Sequence, residues 1–125
     1  PQHCLVLLNR YHSVADEHYL EDPTIGALIG VESITAAMQR TLSERSGQFH
    51  VHIHEHCGEP RPSVDDIKGL PPVVRSLSAT APKQASGYLI LSRDRAWSEA
   101  IVPGQAEPII ATKISVVGFP MKFLR

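Results

Sequence analysis

At 125 residues the chain fits one domain with its own hydrophobic core, and its 42% hydrophobic and 20% charged content is ordinary for a globular protein. A formal net charge of -1 gives no electrostatic reason to expect a nucleic-acid or membrane partner. No apolar run approaches the roughly 20 residues that a spanning helix needs, and no leader-type basic segment with a cleavage site opens the chain.

The opening is abrupt: Pro1-Gln2-His3 leads straight into Cys4-Leu5-Val6-Leu7-Leu8, which reads as the middle of a first element, so residues are expected upstream. Cys4 to Asn9 is predicted as a buried strand, with Cys4 a small buried hydrophobe. Arg10 to Pro23 is polar and reads mostly as loop, with a short edge strand near Tyr19. From Ile25 the pattern turns helical. Ile34, Ala37, Met38, Thr41 and Leu42 recur at helical spacing, Glu32 or Ser33 lies near the start, and Ser46-Gly47 supplies the stop.

Gln48 to Glu55 alternates Phe49, Val51 and Ile53 with His50, His52, His54 and, just beyond, His56. Successive strand side chains point to opposite faces, so one face is predicted to be apolar and core-seeking while the other lines up imidazoles. Gly58 to Pro62 is a tight loop. Ser63 then stands where a helix N-cap would, with Asp65 and Asp66 in the first turn, where the helix dipole favours carboxylates. Pro71-Pro72 is expected to break this helix, with Val73, Val74 and Leu77 in a second short one. Ser86 to Ser92 reads as a strand, and Arg93-Asp94-Arg95 as the turn into an antiparallel partner, Trp97 to Val102. Pro103-Gly104 interrupts the chain before a last strand over Thr112 to Gly118. The order of elements predicts a single-domain α/β sandwich around a central mixed sheet flanked by helices, spanning residues 1–125.

Imidazole is the commonest protein ligand for metals, and natural strands prefer Thr, Lys or Glu for a merely solvated face. Histidines in a row, followed closely by a hydroxyl and two carboxylates, suit a divalent metal, zinc foremost, with a position left open for water. Cys57, in the loop, is a further possible ligand. With only two cysteines there is no disulfide framework, and a reducing cytoplasm is the default.

His52-Ile53-His54, a short Gly/Pro loop and Ser63-Val64-Asp65-Asp66 resemble the signature of the JAMM (JAB/MPN) zinc metalloproteases, in its bacterial JAB branch. The apolar segment before the helix, the helix before the histidine strand and the Gly-Tyr-Leu-Ile-Leu strand after the Asp follow that family's order of elements. The resemblance implies Zn2+ held by His52, His54 and Asp66, with Ser63 donating to the oxyanion that develops at the scissile carbonyl. It implies an (iso)peptidase acting after the C-terminal tail of a ubiquitin-like protein, with that protein or its conjugates as partner. Ubiquitin-activating-like and conjugating-like enzymes of the same system are implied as further partners.

Two departures stand out. Eight residues separate His54 from Ser63, one more than the family pattern, whereas pairing His54 with His56 leaves six, one too few. The first pairing is preferred because a Gly/Pro loop absorbs an insertion and Val51 and Ile53 are expected to anchor the strand; Asp66 rather than Asp65 keeps the Ser-x-x-Asp step. The family's general-base Glu, at the start of the first apolar strand, falls at or beside Pro1. Glu17, Glu21 and Glu32 open no apolar strand, and Glu55 alternates onto the apolar side. A catalytically inactive interaction domain and a small-molecule amidohydrolase are therefore the competing expectations.

Overall fold

The computed structural model describes residues 3–21, 28–118 and 122–124. The position of Pro1 and the expected helical onset at Ile25 lie outside them. A 3-10 turn over Asp16–His18 leads into β1 (Tyr19–Leu20), which pairs antiparallel with β2 (Leu28–Ile29). Helix α1 (Val31–Glu44) follows from a Gly30 cap. Its stop differs from the expected one. Arg45 takes the left-handed conformation that ends the helix, while Gly47 lies so close to Ala85 that a Cβ there would meet its carbonyl oxygen. Gly47 is needed for close approach, not for the cap.

Strand β3 (Phe49–Ile53) runs parallel to β4 (Ser86–Leu91), connected through helix α2 (Val64–Thr80). Strand β5 (Ala96–Ile101) returns antiparallel to β4, and β6 (Ile109–Ile110) adds to its far side. The sheet is thus mixed, in the order β3-β4-β5-β6, with β3 on an edge. The last expected strand is reduced to β7 (Ser115–Val116), paired with β8 (Lys122–Phe123) in a sheet of their own. The described residues form a small mixed α/β architecture with two α-helices, α1 packing on α2 and α2 on β4 and β5. No described helix is long and apolar enough to cross a membrane.

Helix α2 does not break at Pro71-Pro72, as the sequence predicts; it runs through both. Each proline removes one backbone donor, at a cost of about 3 kcal/mol or more in a helix interior. Against that, Leu70, Val74 and Leu77 are buried, each contributing about 1.5–3 kcal/mol. Leu70 and Val74 meet Tyr88, Ile90 and Trp97 in the core, with Ile101 packed alongside. Tertiary burial holds the helix together.

That packing also overturns the expectation for β3. His50 lies beside Tyr88 and His52 beside Ile90, and neighbours across a ladder share a face, so the imidazoles sit on the side that α2 covers. Val51 and Ile53, expected in the core, point to the other side and are 36% and 68% exposed. The N-terminal segment differs as well. Residues 4–9 form no strand; Leu5 and Leu7 are 83% and 75% exposed, and Cys4 is exposed rather than buried. This segment and β3 both line one open cleft of about 2100 Å³. No described strand pairs with residues 4–9.

Candidate metal centre

His52 projects from β3 and His54 from the residue just past its end, where the His54 N–H donates to the Leu91 carbonyl at 2.8 Å and prolongs the ladder. The period of two brings both rings to one face, with centroids 4.9 Å apart and planes nearly perpendicular. The carboxylate comes from the first turn of α2. There Ser63 and Asp66 form a reciprocal capping box: the Asp66 N–H donates to Ser63 Oγ at 3.1 Å, and the Ser63 N–H donates to Asp66 Oδ2 at 2.7 Å. The Ser63 hydroxyl also donates to Oδ2, at 2.7 Å.

Asp66, only 7% exposed, is thus aimed at the strand. Its Oδ2 stands 3.4 Å from His54 Nε2 and its Oδ1 3.7 Å from His52 Nε2. The three ligating atoms lie within 4.8 Å of one another. A tetrahedral zinc with bonds of about 2.0–2.2 Å spaces its ligand atoms by about 3.3–3.6 Å. The donor set therefore fits a small divalent cation after minor closure. Oδ2 accepts both bonds from Ser63 and also stands nearest His54, whereas Oδ1, on the His52 side, accepts no hydrogen bond among the described residues.

The electrostatics suit such a site. Burial alone would raise the Asp66 pKa, but the hydrogen bonds from Ser63, then the charges of His52 and His54, hold it below the ordinary carboxylate value. Burial, followed by the charge of His52, pushes the His50 imidazole down against the opposing pull of Asp66. His50 is stacked at 6.3 Å from His52 without joining the ligands.

Among the described residues, His52, His54 and Asp66 are the only group of three or more that could hold a metal. His56 is exposed and donates from Nδ1 to the Cys57 carbonyl at 3.0 Å. Cys57 and Asp65 are exposed and stand apart, as does Glu55. No glutamate joins the cluster. Ser92 and Asp94, read from sequence only as part of a strand and its turn, hold the loop that follows His54. A Ser-x-Asp step at a turn was the available signal, since such side chains bond nearby backbone.

Comparison with known protein families, with curated proteins and with solved structures finds no match for this chain. The functional reading therefore rests on the site itself.

Proposed function

We propose that this chain is a zinc-dependent (iso)peptidase domain of the JAMM type, with a JAB/MPN-like sandwich fold, acting after the C-terminal tail of a ubiquitin-like protein. The observation that carries the reading is the convergence of His52 Nε2, His54 Nε2 and Asp66, from separate elements, on one point. Two imidazoles and one carboxylate form a donor set that leaves a fourth tetrahedral position free, as catalytic zinc sites do. When bound, the metal supplies Lewis acidity and lowers the pKa of a coordinated water towards about 7. His52 and His54 hold it from the sheet and Asp66 from the helix. Ser63 fixes the carboxylate so that it faces both histidines. Two free cysteines fit a reducing compartment such as the cytoplasm.

A second reading, a metal-binding interaction domain without catalysis, is favoured by two specific observations. No glutamate lies with the ligands among the described residues. The Ser63 hydroxyl proton is already committed to Asp66, so it would have to turn away to serve an oxyanion.

Elemental analysis of purified protein separates the readings from their shared premise. Wild-type protein should retain stoichiometric zinc at neutral pH, and His52→Ala and Asp66→Ala should each lose it. Cleavage of a ubiquitin-like fusion by zinc-loaded protein then marks the peptidase, and zinc retention without cleavage marks the interaction domain. Folded wild-type protein with no zinc affinity removes both.

A further inference from the structure

The loop between His54 and Ser63 is fastened to the β4–β5 hairpin by a group of bonds that its polar, exposed sequence does not suggest. After the His54 N–H to Leu91 bond, the Arg93 N–H donates to the His56 carbonyl at 3.0 Å. Two residues on, both polar groups of Gly58 are held. Its N–H donates to Asp94 Oδ1 at 2.7 Å, and its carbonyl accepts from Ser92 Oγ at 2.6 Å. The gripping side chains are themselves set by the turn. The Ser92 N–H donates to the Arg95 carbonyl at 2.9 Å, and the Arg95 N–H donates to Ser92 Oγ at 3.0 Å. Gly58 has φ of 94°, a conformation that side chains resist, so the chain bends there at little steric cost. The Gly58 N–H holds the Asp94 carboxyl below the ordinary carboxylate value, ahead of the smaller contributions of Ser92 and Arg95. Asp94 is therefore an anionic acceptor at neutral pH.

We infer that Asp94 and Ser92 are positioning residues for the metal centre, gripping the Gly58 peptide so that His54 and Asp66 stay converged without a metal. The inference rests on the reading of His52, His54 and Asp66 as a metal site. Its physical basis is the tether between two ligands: eleven residues separate His54 from Asp66, and the clamp removes freedom from that segment in advance. Beyond the clamp, Pro60 is fully buried and Ser63 caps α2, so the second half of the tether is anchored as well. Release of Gly58 frees the stretch between the His56 carbonyl, which Arg93 still holds, and buried Pro60, and metal binding must then order it.

The test measures Zn2+ affinity by chelator competition on full-length protein. Asp94→Ala should weaken Kd about tenfold, because metal binding must then also order the released loop. Asp94→Asn keeps an acceptor oxygen for the Gly58 N–H and should restore most of the affinity. Ser92→Ala, which leaves the Asp94 bond in place, should weaken Kd by a smaller factor and serves if Asp94→Ala does not fold. An Asp94→Ala Kd within twofold of wild type overturns the inference and leaves the metal site standing. Should wild-type protein bind no Zn2+, the metal reading fails by itself, and imidazole NMR resonances of the metal-free protein decide the clamp. Displacement of the His54 signals in Asp94→Ala, with those of His50 unmoved, supports it; unchanged His54 signals overturn it.

Discussion

Asp66 serves two structures at once. Oδ2 completes the cap of α2 while standing 3.4 Å from His54, and Oδ1 lies 3.7 Å from His52. The double set of partners explains how a buried carboxylate stays ionised next to an apolar core: its desolvation is offset by donors from Ser63 and by the histidines. Tyr88, deeper in the same layer, shows the opposite balance. Burial first, then the charges of Glu99 and Asp66 and a hydrogen bond with Glu99, push its phenol up to about 12. Since the unfolded value is about 10, the folded state binds more protons between those limits. The stability Tyr88 contributes is thus complete below about pH 10 and is lost as pH rises through about 12. Phenolate absorbance of wild-type protein minus that of Tyr88→Phe should show an ionisation near pH 12; one near pH 10 would contradict the buried placement. Most of the site at this scale was legible, because His52, His54 and the Ser63-x-x-Asp66 step are local patterns with fixed periods. Asp94 was not, because its partner Gly58 lies 36 residues away along the chain and only the hairpin brings them together.

Elements were legible where a local rule governs and illegible where packing overrules it. The cap at Ser63, the β4–β5 hairpin and the central span of α1 follow from residue type and spacing, although Leu42, expected on the inner face of α1, is 66% exposed. The break at Pro71-Pro72 does not occur, because Leu70, Val74 and Leu77 are buried on one face of the continuous helix. The two prolines still carry a cost, and Pro72 is exposed, so its ring can be removed without loss of packing. Pro72→Ala restores a backbone donor worth about 3 kcal/mol in a helix interior, less about 0.4–1 kcal/mol for a freer unfolded chain. A net stabilisation of about 2 kcal/mol or slightly more is expected, read as a higher urea midpoint; a lower midpoint would mean that the proline ring makes contacts the helix needs.

For the whole molecule, period two in β3 identified which residues share a face but not which face meets the protein. That choice was made by the crossover helix, which covers the side shared by His52, Ile90 and Trp97. Stability should divide accordingly. Ile90→Ala, at a fully buried position, is expected to cost about 2–5 kcal/mol, whereas Ile53→Lys, on the open side, should stay within about 0.5 kcal/mol. Equal losses in denaturant titrations would place both side chains in one core.

The open border of β3 has a consequence for how this protein behaves in a tube. Its peptide groups at Phe49, Val51 and Ile53 have no neighbouring strand among the described residues, and two of those side chains are apolar and wet. Such a border is a template on which like molecules stack edge to edge. Light scattering should rise steeply as the protein is concentrated, and Ile53→Lys, which sets a charge on that border, should flatten the rise.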